Sequence, residues 1–387
     1  MPETDARYVR ETLAQLVRIN SINPAFAPDA PGEGPIAGWV AGELSRLGCS
    51  VTRREPLPGR VSVAGTLPGA GGGQSLMLYA HSDTVGVEGM SDPFSGAVKE
   101  GRLYGRGSYD MKCGLAACLA ALKALRDAGT RLRGDLVVCA AADEETESLG
   151  MTDLLRVVHT DAAIVTEPTE LDLYVAHKGF CWVEVETRGR AAHGSRYQDG
   201  IDANLRMGRF LAELDLLERR LRGGAPHNLL GPPSLHAAVL RGGTGLSTYA
   251  ASCVLQIERR TIPGETPESV LAEIEAILAS LRAADPGFDA SARLLLDRPA
   301  LEGSAESPIA RAVRAAATRR LGHAPAVGGA AYWMDAALIA AAGIETVVIG
   351  ATGAGAHAAV EWVELASVEA LAAILAETAM TYCGVEP

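Results

Sequence analysis

Five short segments of the chain carry side chains that could bind metal ions. The side chains are, in chain order, His81 and Asp83, Asp110, Glu144 with Glu145, Glu167, and His357. Imidazole and carboxylate groups are usual zinc ligands in sites that keep a coordination position open for water or substrate. A carboxylate also has two oxygens and can bridge two metal ions that lie about 3.5–4 Å apart. These residue types therefore predict a metal centre that activates water.

Three of the five segments come directly after an apolar run. The runs cover residues 75–80, 135–142 and 162–166, and the segments that follow them contain His81, Glu144 and Glu167. Apolar runs of this length are typical of buried strands in a parallel sheet. Ligands of open α/β sheets bind in the crevice outside the carboxyl ends of the strands. We therefore expect the three segments to meet at one edge of one sheet.

Neighbouring members of the set can have different roles. His81 and Asp83 are two residues apart, so on a strand both face the same way and the carboxylate can accept the second ring N–H of the histidine. Glu144 and Glu145 are adjacent and face different ways, so one can bind a metal ion while the other takes a proton from water. Each residue alone has an ordinary explanation, such as a turn, a loop or an acidic helix start. Their shared placement at strand ends favours the metal centre.

Composition indicates a soluble globular protein with two domains. The chain has 387 residues, of which 48% are hydrophobic and 21% charged. A net charge of −12 and a pI near 5.2 argue against nucleic acid or an anionic membrane as a partner. Residues 1–20 predict an amphipathic helix rather than a signal peptide, and we expect no membrane-spanning run. Seven scattered cysteines without a CxxC pair predict reduced thiols and a cytoplasmic protein.

The order of apolar patterns changes near residue 179. Up to about His177, strand-like runs alternate with helical patterns such as 112–127, which predicts a parallel sheet with helices on both faces. Beyond it the patterns predict strands at 181–187, 234–240, 253–260 and 291–296, with helices at 202–222 and 265–284. This β-α-β-β-α-β order is that of a split βαβ, ferredoxin-like domain. We therefore predict a discontinuous domain, 1–178 and 293–387, and an inserted domain, 179–292.

The motifs together resemble a known enzyme family. They are His81-Ser-Asp-Thr-Val85, Gly105-Arg-Gly-Ser-Tyr-Asp-Met-Lys112, Asp143-Glu-Glu145, Glu167-Pro-Thr169 and the segment from Gly353 to His357. This set is similar to that of the two-zinc co-catalytic deacylases and peptidases, which include acetylornithine deacetylase, succinyl-diaminopimelate desuccinylase and glutamate carboxypeptidase. The resemblance implies a phosphorylase/hydrolase-like α/β zinc-peptidase domain with a mostly parallel central sheet and helices on both faces. It also implies an inserted α+β, ferredoxin-like domain that serves as lid and dimerisation module.

The resemblance also implies a role for each site residue. Asp110 would bridge two Zn²⁺ ions per chain, for which Co²⁺ or Mn²⁺ are alternatives, and a cis peptide bond would join it to Met111. His81 and Glu167 would complete one metal site, and Glu145 and His357 the other. Glu144 would be the general base, and Asp83 would orient His81.

Further residues are implied in substrate binding and catalysis. From the inserted domain, His193 would stabilise the oxyanion, in dimeric members from the partner subunit, the alternative being a capping or surface histidine after a strand. Arg260 would bind a substrate carboxylate while Arg259 faces the other side of its strand, the alternative being a salt bridge to Glu258 or Glu265. Ser247 stands where relatives carry a substrate-binding Asn, and Gly353 is assigned to substrate binding. Cys113, Asp202 and Ala250 also depart from the family pattern, which expects Gly, Asn and Pro there.

These features favour a zinc-dependent hydrolase of C–N bonds. The leading hypothesis is an amidohydrolase that cleaves N-acyl amino acids through metal-activated water and Glu144. The alternative is a zinc exopeptidase, a carboxypeptidase or dipeptidase that acts on short peptides. A non-catalytic binding protein on the same fold is more remote, since such a protein would be expected to have lost Glu144 or a metal ligand. A homodimer through the inserted domain is expected from the resemblance.

Overall fold

The computed structural model describes residues 2–386, which form two compact units. The first unit contains the residues up to Val175, Gly303–Gly328 and the residues from Met334 onward, and the second contains Ala176–Glu302 and Gly329–Trp333. The predicted insertion, 179–292, lies inside the second unit. Its predicted end falls within the last long strand of that unit, Ala290–Arg298.

Nine helices are present in the described part of the chain. They are α1 (Ala6–Arg18), α2 (Gly34–Arg46), α3 (Lys112–Asp127), α4 (Leu149–Leu154), α5 (Ala203–Gly223), α6 (Pro267–Ala284), α7 (Pro308–Leu321), α8 (Ala336–Ala341) and α9 (Leu365–Cys383). The prediction for α3 is confirmed at both ends. The predicted N-terminal helix begins at Ala6, where Asp5 caps it by accepting the backbone N–H of Tyr8, and Met1 lies outside the described residues.

The same residues form seventeen strands. They are β1 (Ser50–Arg54), β2 (Ser62–Leu67), β3 (Leu76–His81), β4 (Ala97–Lys99), β5 (Arg102–Tyr104), β6 (Leu136–Ala141), β7 (Ala162–Val165), β8 (Leu173–His177), β9 (Gly179–Arg188), β10 (Ser234–Gly242), β11 (Ser252–Thr261), β12 (Ala290–Arg298), β13 (Leu301–Glu302), β14 (Val327–Ala330), β15 (Glu345–Val348), β16 (Gly353–Ala354) and β17 (Trp362–Glu364).

The first unit is built on a mixed sheet with the order β1-β2-β6-β3-β7-β15-β8. Its central strands β6, β3, β7 and β15 are parallel, and the flanking pairs are antiparallel. No residue of β3, β6 or β7 is exposed, so both faces of the sheet centre are covered. The predicted α/β class and buried parallel strands are thus confirmed.

The strand register places the carboxyl ends of the parallel strands side by side. His81 pairs with Ala141 at the end of β6, and Tyr79 pairs with Val165 at the end of β7. Helix α3 begins close to this edge, because a Cβ on Gly114 would lie only 2.2 Å from Oγ1 of Thr166. Glycine therefore lets the first turn of α3 approach the chain next to Glu167.

A second, small sheet of the first unit has the order β16-β17-β5-β4 and is antiparallel. Strand β5 leads into the loop that carries Asp110, and His357 lies in the turn between β16 and β17. The sheet thus brings the segments of Asp110 and His357 together.

Helix α9 is long and apolar enough to cross a membrane by length and composition, and it is the one such helix among the described residues. It packs against α3, α7 and β3, and eleven of its residues are buried. The apolar run thus belongs to the core of the first unit. The sequence expectation that no run approaches a membrane span did not account for this helix.

The second unit contains the elements in the predicted β-α-β-β-α-β order. Its sheet has the order β10-β11-β9-β12, and every neighbouring pair is antiparallel. Alternate residues of β9, such as Cys181, Val183 and Val185, join residues of α5 and α6 in a hydrophobic core. The other face of β9 carries Phe180 and Trp182.

Candidate metal centre

The predicted metal ligands converge at the carboxyl edge of the parallel strands. His81 is the last residue of β3, and Glu144, Glu145 and Glu167 follow the ends of β6 and β7. Asp110 immediately precedes the N-cap of α3, and the bond between it and Met111 is a cis peptide, as the resemblance implied.

Asp110 lies between two histidines. Its Oδ1 is 3.2 Å from Nε2 of His81, and its Oδ2 is 3.3 Å from Nε2 of His357. Glu167 approaches the first histidine, with Oε1 3.6 Å from Nε2, and Glu145 approaches the second, with Oε2 3.1 Å from Nε2. The five side chains therefore form two groups of three that share one carboxylate.

Glu144 lies beside the first of these groups. The ligand atoms of His81, Glu144 and Glu167 lie within 4.8 Å of one another, as do those of His81, Asp110 and Glu145. By distance alone, Glu144 could therefore bind a metal ion or face one. Its neighbour Glu145 is directed to His357, which agrees with the expectation that adjacent glutamates face different ways.

The site contains several buried carboxylates close together, and positive charge would stabilise their ionised forms. Burial raises the pKa of Glu144 and Glu167, and nearby carboxylates raise it further although His81 opposes this. Hydrogen bonds with Asp110 and Glu145 raise the pKa of His357 to about 10. Burial lowers the pKa of His81, but hydrogen bonds with Asp110 and Asp83 outweigh this effect, so its pKa is raised. The protonated histidines thus balance part of the carboxylate charge in the metal-free chain.

The donor set fits a pair of divalent ions. Two imidazole nitrogens and a cluster of carboxylate oxygens are a ligand mixture that suits zinc, and the buried acids need the positive charge that metal ions supply. Each group of three protein ligands would leave coordination positions open. His81, Asp110 and Glu167 could hold one ion, and Asp110, Glu145 and His357 the other.

Asp83 connects β3 to the loop that carries the two glutamates. Its Oδ1 accepts the backbone N–H of Glu144 at 3.1 Å, and its Oδ2 accepts that of Glu145 at 3.2 Å. Nδ1 of His81 lies 3.1 Å from the backbone oxygen of Asp83 and 3.6 Å from Oδ1. The carboxylate thus lies near the imidazole that it was expected to orient, and it also holds the loop.

A buried polar network that sequence reasoning missed supports this loop. The Asn23 amide donates to Asp83 at 3.0 Å and to Asp143 at 2.9 Å, and Asp143 also accepts from Arg60. Asp143 has a φ of 72°, a left-handed backbone that its carboxylate stabilises by accepting the N–H of Leu149 at 3.2 Å. The acidic motif 143–145 was the signal, but its first residue had no assigned role.

Two further buried groups were missed near the same edge. The phenol of Tyr79 donates to the buried carboxylate of Asp335. Glu361 and Arg106 form an ion pair of 2.7 Å under the loop of Asp110. An apolar strand residue and isolated charges gave no sequence signal for these contacts.

The second unit contains His193, Ser247 and Arg260. His193 is exposed, its Nδ1 is 2.8 Å from Oγ of Ser195, and its backbone bridges to Thr248. The N–H of Gly194 donates to the carbonyl of Ser247 at 2.8 Å, so the two predicted segments are neighbours.

Arg260 and Arg259 face opposite sides of β11, as predicted. The Arg260 guanidinium lies 5.2 Å from the centre of the Phe180 ring and donates to Glu258. Arg259 is buried and forms ion pairs with Glu265 and Glu273. The salt bridge to Glu258 that is the alternative for Arg260 is thus present, and of the two arginines Arg260 is the partly exposed one.

The remaining residues singled out in the sequence have structural positions. Gly353 lies in β16, where a Cβ would be 2.5 Å from the Tyr109 ring, so no larger residue fits there. Cys113 is buried, with Sγ 3.0 Å from the carbonyl of Tyr109. Asp202 caps α5, and Ala250 is buried in the second unit. All seven cysteines are buried and free.

Sequence comparison identifies relatives along most of the chain. A profile of peptidase family M20/M25/M40 matches residues 77–381. The chain is 30% identical over 390 residues to an acetylornithine deacetylase of Myxococcus xanthus, covering 97% of this chain and 98% of the relative. It is 32% identical over 296 residues to an N-formyl-4-amino-5-aminomethyl-2-methylpyrimidine deformylase of Bacillus subtilis (strain 168), covering 71% and 69%.

Solved structures share the fold. Aminopeptidase PepT from Bacillus cereus matches with a TM-score of 0.81 at 18% identity, covering 98% of this chain and 99% of that chain. A metallo-carboxypeptidase of the M20 family from Sulfolobus solfataricus gives 0.77 at 19% identity, covering 96% and 98%. A dinuclear metal binding peptidase of that family from Bacillus subtilis gives 0.75 at 14% identity, covering 97% of each chain.

Proposed function

The chain belongs to peptidase family M20/M25/M40 and hydrolyses amide or peptide bonds, and from this premise we propose that its substrates are N-acyl amino acids. The observation that supports metal-dependent hydrolysis is the position of Asp110, whose two oxygens face two histidines at 3.2 and 3.3 Å. This arrangement suits a carboxylate that bridges two zinc ions, with Co²⁺ or Mn²⁺ as alternatives.

The protein groups have separable tasks in this reaction. A bound metal pair would polarise the amide carbonyl and make water more acidic. Glu144 would take the proton from water and deliver it to the leaving amine. Its backbone N–H is fixed by Asp83 at 3.1 Å, which limits the positions that its side chain can reach. His193 would donate a hydrogen bond to the developing oxyanion, and Arg260, Ser247 and Gly353 would line the substrate site.

A deacylase is favoured over an exopeptidase because of the relatives. The acetylornithine deacetylase aligns along nearly its whole length, and the deformylase relative also removes an acyl group from an amine, as its name states. The peptidases among the solved structures are below 20% identity, so their likeness concerns the fold. We therefore assign the acyl amide as the scissile bond.

We also propose a cytoplasmic homodimer. Seven buried free thiols agree with a reducing compartment. Within the described part of the chain, the edge strands β10 and β12 of the second unit each pair on one side only, and such edges are commonly covered by a partner. Sedimentation velocity at micromolar concentration tests the dimer, and a monomer would contradict it.

Turnover of a matched substrate panel tests the function. The panel contains N-acetyl, N-formyl and N-succinyl amino acids together with dipeptides and tripeptides. The zinc-loaded chain should cleave acyl amides faster than peptides, and removal of the metal should abolish turnover. Faster cleavage of peptides would identify an exopeptidase. A chain that binds two zinc ions and cleaves no member would instead be a binding protein.

A further inference from the structure

The carboxylate of Glu361 accepts four hydrogen bonds from the loop 106–110. Its Oε1 accepts the backbone N–H groups of Tyr109 at 2.9 Å and Asp110 at 3.0 Å. Its Oε2 accepts the N–H of Gly107 at 3.0 Å and Nη1 of Arg106 at 2.7 Å. Glu361 is 1% exposed, so these four donors replace its water shell. Hydrogen bonds to a buried charge are stronger than neutral ones, so the loop is held firmly.

The guanidinium of Arg106 extends the same contact to two other segments. Nη2 donates to the carbonyl of Ala358 at 3.2 Å, and Nε donates to the carbonyl of Gly86 at 2.8 Å. Ala358 directly follows His357, and Gly86 lies three residues after Asp83. Arg106 is 2% exposed and therefore has few alternative positions.

These contacts join the two segments whose side chains meet at the second candidate metal site. Glu361 fixes the backbone N–H of Asp110, and the segment that contains Glu361 also carries His357, whose Nε2 lies 3.3 Å from Oδ2 of Asp110. The other ligands, His81, Glu145 and Glu167, lie at the ends of strands of the main sheet and make no contact with Glu361 among the hydrogen bonds of the described residues.

We propose that Glu361 and Arg106 are positioning residues that set the separation of Asp110 and His357 and so determine the affinity of one metal site more than the other. The inference rests on the proposed metal-dependent function. The site held by Asp110, Glu145 and His357 depends on the pair through two of its ligands. The site held by His81, Asp110 and Glu167 depends on it through one.

Stepwise Zn²⁺ binding to the metal-free chain tests this proposal. Titration calorimetry with a competing chelator gives the two affinities. Glu361→Gln keeps the size of the side chain but presents an amide N–H₂ group to N–H donors. Arg106→Lys keeps the charge but loses the planar guanidinium and its several N–H donors. Each substitution should lower the affinity for one of the two ions by at least about tenfold, the scale for groups that orient metal ligands. In Glu361→Gln, amide hydrogen exchange of the loop 105–110 should also become faster.

The Arg102–Glu364 pair supplies a matched control. It joins β5 to β17 close by, with 3.8 Å between the charges, and both side chains are half-exposed. Glu364→Gln should leave both zinc affinities unchanged. If Glu361→Gln bound each of the two ions as tightly as the wild type does, the proposal would be overturned. An equal loss at both sites would also overturn it, because a merely structural ion pair would act on both. A wild-type chain that binds no pair of ions would instead overturn the proposed function.

Discussion

The carboxylate of Asp83 accepts the backbone N–H of Glu144, with 3.1 Å between Oδ1 and the nitrogen. Its second oxygen accepts the N–H of Glu145 at 3.2 Å and the side-chain amide of Asn23 at 3.0 Å. The buried side chain of Asp83, two residues beyond the end of β3, therefore fixes the start of the loop that carries the proposed base, Glu144, and a proposed ligand, Glu145. The orientation of both glutamates depends on this carboxylate.

Asp83→Asn should weaken zinc binding and lower kcat together. Asparagine has one acceptor oxygen, and its amide N–H₂ would face a backbone N–H, so one loop hydrogen bond is lost. We expect a loss of about 10–100-fold in metal affinity or activity. Asp153→Asn is the control, because Asp153 is also buried but forms an ion pair of 2.8 Å with Arg54 instead. Wild-type values in Asp83→Asn would show that the loop is held by other contacts.

Glu144→Gln and Glu145→Gln should separate base from ligand. Glu144→Gln should retain two zinc ions and lose at least about a hundredfold in kcat, the scale of general base catalysis. Glu145→Gln should lose an ion, because its carboxylate lies 3.1 Å from His357 in the second candidate site. Metal content by atomic emission and single-turnover rates check both. The reverse result would exchange the two assignments.

Zinc binding should release protons at neutral pH. In the metal-free chain, hydrogen bonds with Asp110 and Glu145 raise the pKa of His357 to about 10, so its imidazole is protonated at pH 7. A zinc ligand must be neutral, and the proton is therefore released on binding. Calorimetry in buffers of different ionisation enthalpy should report this release, and the apparent affinity should rise with pH towards 10. His357→Gln should release fewer protons.

The stability of the metal-free chain should fall as the pH rises, whereas the apparent zinc affinity should increase. A histidine pKa raised from about 6.5 in the unfolded chain stabilises the fold below that value. The His357 contribution is then lost as the pH rises through about 10. Denaturant unfolding of the metal-free chain between pH 7 and 10 checks this. An identical pH profile for His357→Gln would contradict it.

The sequence was sufficient for elements whose signal is local and for the placement of the candidate ligands at strand ends. Strand β3, predicted at 75–80, spans Leu76–His81, and α3 matches its prediction at both ends. Apolar run length and helical period report burial directly, so these elements could be predicted. The convergence of His81, Glu144 and Glu167 followed from the rule on strand ends in α/β sheets.

Contacts between distant segments could not be predicted in this way. Arg106 and Glu361 are 255 residues apart, and Tyr79 and Asp335 are 256 apart. Nothing in the local pattern marks such charges as buried partners, because pairing depends on how the loops pack. Asp83 illustrates the same point, since its spacing from His81 suggested one partner and the structure adds the amides of Glu144 and Glu145.

His193→Ala should mainly lower kcat. If the imidazole donates to the oxyanion, its effect appears in the transition state, and loss of such a donor costs about 10²–10³-fold. The Nδ1 atom of His193 lies 2.8 Å from Oγ of Ser195, and Nε2 forms no hydrogen bond with the residues that the structure describes, so this atom can contact substrate. Ser195→Ala is the control and should have a smaller effect. Equal KM and kcat in His193→Ala and wild type would make this a surface histidine.

Arg260→Ala should mainly raise KM for substrates that keep a free carboxylate. The guanidinium lies over Phe180 at 5.2 Å and donates to Glu258, so it is oriented but still about one-third exposed. A hydrogen bond to a charged group contributes about 1.5–3 kcal/mol, which corresponds to a rise in KM of about 10–150-fold. Substrates with an amidated carboxylate should be spared. Arg293→Ala is a suitable control, because Arg293 pairs with Glu184 on the same sheet and is exposed. If Arg260→Ala had the wild-type KM for substrates with a free carboxylate as well as for the amidated ones, the contact of Arg260 with Glu258 would be an ordinary surface salt bridge.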